Sequence, residues 1–197
     1  MNDTWVEKKL GNMAKFSKGS GYTKSDLQDE GSPIILYGRM YTKYQVSVSD
    51  VDTYVEQKDN SVISKGGEVI VPASGETAED IAIAATVEKP GIILGGDLNV
   101  IEPSDELNST FLALGISNGT AHKDMAKRAQ GKSIVHLHNS DLKNVIVKYP
   151  SVEEQNKIVK TLVNLDTTIS LYEKKLGQLN LIKKTIIQKI LIYDLSN

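Results

Sequence analysis

The sequence predicts an α+β protein: a small, mixed, strand-rich domain over residues 1–150, then one long C-terminal coiled-coil helix over 151–197. Three observations predict it. All five prolines and 14 of the 15 glycines lie at or before residue 150, and these residues punctuate turns and interrupt helices. Beyond it, apolar residues recur at Ile158, Leu162, Leu165, Ile169, Tyr172, Leu176 and Leu179. That unbroken alternation of four- and three-residue steps defines a coiled-coil seam. Before residue 150, short apolar and β-branched runs bounded by turn residues read as strands.

Strands are expected at 34–37, 46–51, 68–71, 80–87, 92–94, 133–138 and 144–148. Within the fourth, Ile81, Ile83 and Val87 share one face and small residues the other. A helix is expected over 104–116, with Ser104 as its cap and Phe111, Leu112 and Leu114 as apolar contacts, and a shorter one over 120–130. In the long helix Ser151 stands at the N-cap directly after Pro150, and Glu154 completes a capping box. At 1.5 Å per residue, about 43 residues span roughly 64 Å, against roughly 30 Å for a small domain. So long a seam outruns what one globule covers, and an exposed apolar stripe invites a partner helix rather than packing on its own domain. After Leu179 the stripe slips from Lys183 to Ile182, Ile186, Ile190 and Tyr193, so the seam should bend or change partner near Lys183-Lys184.

At 197 residues and 40% hydrophobic composition, the chain has the make-up of one globular domain with an appendage, which excludes a wholly disordered protein. Uninterrupted apolar runs are too short to cross a membrane as a helix. The opening Met1-Asn2-Asp3-Thr4-Trp5 lacks the basic-then-apolar layout of a secretory signal. With no cysteine there is no disulfide, thiolate metal site or cysteine nucleophile, and a cytoplasmic protein is expected. Residues 1–150 carry 16 Lys and Arg against 20 Asp and Glu, and residues 151–197 carry 7 against 5. Neither part has the basic excess that by itself announces a nucleic-acid binder, although local clusters rather than net charge make phosphate contacts.

Catalysis finds little footing. His136-x-His138 sets two imidazoles on one face of a strand, but no Asp or Glu completes a metal site at ligand spacing, so a structural or solvated pair is expected. Asp50, Asp52 and Glu56-Gln57-Lys58 echo an acid–acid–lysine trio at too short a spacing. Gly95-Gly96-Asp97 lacks the third glycine and the following helix of a dinucleotide loop and reads as a tight turn. No nucleophile elbow or phosphate-binding loop occurs. The chain is expected to be no enzyme on its own and to need no cofactor.

Three stretches mix cations, aromatics and small hydrogen-bonding groups. Residues 15–24 hold Lys15, Lys18 and Lys24 with Tyr22 and no acid, and their Gly and Ser positions would let backbone amides approach a phosphate. Residues 37–44 combine Tyr37, Tyr41 and Tyr44 with Arg39 and Lys43. Residues 122–132 include Lys127, Arg128 and Gln130, and Arg and Gln are types that bond bidentately to guanine and adenine edges. Each is also what a solvated loop looks like.

Together these features resemble the specificity (S) subunit of type I restriction–modification systems. The strongest match is Tyr149-Pro150-Ser151-Val152-Glu153-Glu154-Gln155-Asn156-Lys157-Ile158, running into Leu162 and Leu165-Asp166 and ending in Leu181-Ile182-Lys183-Lys184-Thr185-Ile186-Ile187-Gln188-Lys189. It is similar to that family's conserved helix. Trp5 with Leu10-Gly11, Gly19-x-Gly21-Tyr22 and Tyr37-Gly38-Arg39-Met40-Tyr41-Thr42 resemble the start of one target recognition domain, and residues 132–148 its final strand pair.

The resemblance implies a non-catalytic recognition subunit for double-stranded DNA. Full-length members alternate two recognition domains with two conserved helices, so a chain with one of each resembles half a subunit. It would pair as a homodimer through Ile158, Leu162, Leu165, Ile169, Tyr172, Leu176 and Leu179 and read an interrupted palindrome. A separate methyltransferase subunit would flip and methylate adenine, with or without a restriction nuclease subunit. Base contacts do not transfer between family members, so Lys18, Tyr22, Arg39, Tyr41, Lys127, Arg128 and Gln130 rest on chemistry and loop placement. Two other readings stay open: a coiled-coil assembly module that binds only protein, and a half-subunit that works only beside a different half.

Overall fold

The computed structural model describes residues 4–131 and 134–194, with side chains through residue 190. The first three residues, Lys132, Ser133 and the side chain of Tyr193 lie outside the described residues. Two compact units emerge, Met1–Asn156 and Lys157–Asn197.

In chain order the first unit begins with β1 (Val6–Lys9), β2 (Ala14–Lys18), β3 (Leu27–Gln28) and β4 (Ser32–Ile35). Next come the one-turn helix α1 (Arg39–Thr42), then β5 (Ser47–Val48), β6 (Tyr54–Val55), β7 (Ile63–Lys65), β8 (Glu68–Pro72) and β9 (Ser74–Gly75). After α2 (Ala78–Ile81) run β10 (Ala85–Val87), β11 (Pro90–Leu94) and β12 (Leu98–Pro103). The helices α3 (Ser109–Asn118) and α4 (Thr120–Arg128) precede β13 (Val135–His136), α5 (Asn139–Leu142) and β14 (Ile146–Tyr149). The last element, α6 (Val152–Asp194), is one helix of 43 residues.

Two five-stranded sheets carry the unit, in the orders β2-β12-β8-β10-β5 and β3-β6-β4-β11-β7, and two-stranded ribbons pair β1 with β14 and β9 with β13. Of these strand pairs, among the described residues, β10–β5 and β11–β4 are parallel, as is the single bridge between Ser20 and Gly95. Strand alternation divides the core. On β4, Ile35 joins a cluster with Ile70, Val87, Leu94 and Val100, whereas Ile34 faces another with Tyr22, Val55 and Ile93. β11 repeats the split, with Ile93 in the second cluster and Ile92 and Leu94 in the first. Successive side chains point to opposite faces of a strand, so two strands serve two cores.

The expected strand at 68–71 forms as β8, the central strand of its sheet, buried throughout. Other expectations shift for local reasons. The run 80–87 is not one strand: Thr77 Oγ1 accepts from the Asp80 amide at 3.0 Å and caps α2, leaving only 85–87 extended. The helix expected from Ser104 starts at Ser109, because Asn108 Oδ1 accepts from the Phe111 amide at 2.9 Å and is the cap. Asp97, with φ of 58°, makes the tight turn after Gly95-Gly96. The strand that follows, β12, has no counterpart in the expectations, since its apolar positions are interrupted by a fully buried asparagine, Asn99. Its Nδ2 donates to Leu137 O at 2.8 Å.

The first turn of α6 belongs to the first unit, and Gln155 fastens it there. This fully buried side chain donates from Nε2 to Glu106 O and Pro150 O, both at 3.0 Å, and Oε1 accepts from the Asn108 amide at 2.8 Å. Ser151 Oγ accepts from the Glu154 amide at 3.4 Å.

Backbone approach explains one glycine. A Cβ on Gly19 would lie 1.9 Å from Gly95 O, whereas one on Gly21 meets nothing within 4 Å. Gly19→Ala should therefore destabilise the fold by about 1–3 kcal/mol through forced backbone shifts. Gly21→Ala should stay within about 0.5 kcal/mol of wild type. Urea unfolding of the two variants makes the comparison.

Candidate nucleic-acid interface

The structure sorts the residues singled out from the sequence into two groups. Tyr22 and Arg39 are taken up by the fold. Tyr22 is 4% exposed, and its hydroxyl donates to Glu56 O at 3.3 Å, accepts from the Lys58 amide at 2.8 Å and lies 2.5 Å from Ser61 Oγ. The Lys58 ammonium sits 4.4 Å from the ring centroid. Tyr22 is thus corrected from a surface contact to a core residue whose polar tip is satisfied internally. The surrounding Gly and Ser also serve the fold, since Ser20 is buried and its amide donates to Leu94 O at 2.8 Å.

Arg39 keeps only 11% of its side chain exposed and is held by Asp52 Oδ1 at 2.6 Å, Gln45 Oε1 at 3.1 Å and Asp50 O at 3.4 Å. A guanidinium engaged in this way ties the loop after α1 to the loop at 50–52 and is not free to reach a base edge. Arg128 stands between the groups: it is part-exposed and bonds Asp124 one helical turn away at 3.2 Å, a weak surface pair that a competing anion can displace.

Lys18, Tyr41, Lys127 and Gln130 remain available. Lys18 ends β2 opposite Asn99 in register, and Lys127 and Gln130 are exposed at and just beyond the end of α4. Tyr41 is 38% exposed while its hydroxyl donates to Ser74 O at 2.9 Å. Burial, and then the nearby Asp80 carboxylate, pushes the Tyr41 hydroxyl above the usual tyrosine value, so it stays a protonated donor. Residues distant in sequence meet around β13. Ser74 pairs with His136 across the β9–β13 ribbon, and His136 exchanges both backbone hydrogen bonds with Gln130, at 3.0 and 2.8 Å. Asn99, beside Lys18, bonds Leu137 O, and Asn139 Nδ2 donates to Ser17 O at 2.8 Å. The ribbon therefore links Tyr41, Gln130 and the end of β2.

Sequence reasoning set aside His136 and His138, yet both are exposed on β13 and its extension while Val135 and Leu137 between and before them are buried. The alternation that signals this was legible. Their value depends on the ribbon, which is a tertiary feature. Among the described residues no group of three or more His, Cys, Asp or Glu could hold a metal ion.

The second unit is the remainder of α6, with Leu162, Leu165, Ile169, Tyr172, Leu176 and Leu179 all exposed, and Ile158, near its start, partly so. The stripe continues exposed through Ile182, Ile186 and Ile190. No helix among the described residues is long and apolar enough to cross a membrane.

The chain is a strand-built globule that runs on into one long helix bearing an exposed apolar stripe. The model of the type I restriction modification DNA specificity domain matches residues 2–181, and the chain belongs to that family. Among characterised relatives, it is 21% identical over 189 residues to the type I restriction enzyme MjaVIII specificity subunit of Methanocaldococcus jannaschii, covering 95% of this chain and 42% of that protein. The fold is shared with the HsdS subunit from Thermoanaerobacter tengcongensis (TM-score 0.60, 16% identity, 86% of this chain and 39% of that one). It is shared too with the type I restriction–modification S subunit from M. genitalium (TM-score 0.60, 18% identity, 84% and 40%). The chain spans about two fifths of the length of these relatives.

The ion pairs around Arg39 make one pH prediction. Lys43 first, and then Arg39, hold the Asp52 carboxyl at about 2. A carboxyl depressed in the folded state adds stability above its unfolded value, near 4, and loses it as the pH falls through the folded value. Wild type should thus exceed Asp52→Asn by a constant margin above about pH 5, and the margin should vanish near pH 2. Thermal unfolding across that range measures it.

Proposed function

We propose that the chain is the DNA-sequence-recognising component of a type I restriction–modification enzyme, acting in the cytoplasm on double-stranded DNA. Residues 1–150 are its target recognition domain and residues 151–197 its dimerisation and spacer helix. Lys18, Tyr41, Lys127, Arg128 and Gln130 make the DNA contacts. Two copies pair through Ile158, Leu162, Leu165, Ile169, Tyr172, Leu176 and Leu179 and read an interrupted palindrome, because protein symmetry is mirrored in the site. The component positions a separate adenine methyltransferase subunit, with or without a nuclease subunit. Family membership over residues 2–181 supports the DNA role. The observation that carries the pairing is the exposed stripe on α6, where Tyr172 is 68% and Leu176 60% exposed; so long an apolar seam is unstable in water without a partner helix.

Co-expression with the methyltransferase subunit, followed by mapping of modified adenines, tests this reading. It predicts an interrupted palindrome. An asymmetric bipartite motif would instead mean pairing with a different half. No motif from an assembled complex would favour a module that binds only protein.

Two further outcomes are expected. Leu165→Glu together with Leu176→Glu should leave monomers at micromolar concentration by sedimentation, where wild type is dimeric. Affinity for duplex DNA should fall steeply with salt, and Lys127→Ala should weaken binding across all sequences and lower the salt slope by about one.

A further inference from the structure

We infer that His136 and His138 are a specificity-determining pair that reads base edges from the β9–β13 ribbon. This rests on the DNA-recognition reading above and assigns residues to it that the charge and loop pattern did not suggest. The two side chains leave one side of an extended segment, with Val135 and Leu137 buried on the other. Their rings are parallel within 2° and their centroids lie 6.3 Å apart. Alternate residues of a strand repeat at about 6.6 Å, and two base steps along one DNA strand span about 6.8 Å. An extended segment following the groove would therefore present one imidazole to every second base pair. A two-stranded ribbon is also a shape the major groove admits.

The backbone beneath the pair is fixed on every side. His136 is bonded to Gln130 through both its N–H and its C=O, and it lies in register with Ser74 of β9. The Leu137 amide donates to Ala73 O at 3.0 Å, and Leu137 O accepts from the buried Asn99. The His138 amide donates to Asp141 Oδ2 at 3.0 Å. Such anchoring holds the imidazoles in place before any ligand arrives, as a reading site requires. Gln130, whose carboxamide suits adenine, stands opposite His136 in the bridge on the other edge of β13. Imidazole nitrogens donate or accept, which suits the N7 and O6 acceptors of guanine. His122 makes the contrast with His136, its ring lying 2.7 Å from Ala82 O and committed inside the fold. His138 is the N-cap of α5, where one ring nitrogen accepts from the Asp141 amide and the other is left for a ligand.

The test selects targets for the 197-residue chain from a randomised duplex library, for wild type, His136→Ala, His138→Asn and the double variant. Asparagine is chosen at 138 because it keeps a good helix cap, and thermal unfolding checks that each variant folds like wild type. Wild type should enrich a motif. Each single variant should lose discrimination at its own position by about 10- to 100-fold, and the two affected positions should lie two base pairs apart. An unchanged motif and affinity in all the variants would overturn the inference while leaving DNA recognition intact. So would an unchanged motif with uniformly weaker binding and a lower salt slope, since that marks phosphate contacts. A wild-type protein that enriches nothing would overturn the DNA reading itself, and this inference with it.

Discussion

The carboxamide of Gln155 is the constraint on which the organisation of the first unit rests. Buried without exposure, it accepts from the Asn108 amide and donates to Glu106 O and Pro150 O. Asn108 in turn caps α3. One side chain thus couples the end of β14, the turn after β12 and the start of α3 to the first turn of α6. A buried amide with its hydrogen bonds made contributes modestly, but one left unpaired costs the full desolvation of each group. The arrangement is therefore specific: an apolar residue of the same size would strand several backbone groups at once.

The surface around β13 shows the complementary strategy. Its members come from the end of β2, from α1, from the segment after α4 and from β13 itself. Tyr41 is held by its own hydroxyl, whereas Gln130 and His136 are fixed by backbone hydrogen bonds. Side chains at such positions can be exchanged without disturbing the frame. A rigid support with variable loops is the general solution for binding sites. The cations that looked most available in the sequence are divided by the same logic: Arg39 is consumed by Asp52, Gln45 and Asp50, while Lys18 and Lys127 remain exposed.

Local pattern carried a good part of the architecture. The absence of proline and the single glycine after residue 150 foretold the long helix, and the spacing of Leu162, Leu165, Ile169 and Leu176 foretold its exposed stripe. β8, α4 and β14 were equally legible, being short runs with a clear period and clear turn signals. Short-range competition hid other elements. Thr77 and Asn108 out-competed the apolar pattern around them by capping helices, and β12 was masked by Asn99, a polar residue whose burial makes sense only beside Leu137 O.

The sequence by itself determined the class of fold, the long helix and the spacing of its apolar stripe. These follow from composition and periodicity, which act within a few turns of chain, while the family resemblance rested on particular motifs such as Tyr149 to Ile158. Tertiary structure decided which polar residues are free. Tyr22 and Arg39 share the composition of surface contacts but find partners 30 or more residues away, or across a loop. His136 and His138 gain their spacing and support only once β9, Gln130 and Asn99 close around them. Hydrogen-bond partners distant along the chain leave no local signature, so their choice is visible only in the folded molecule.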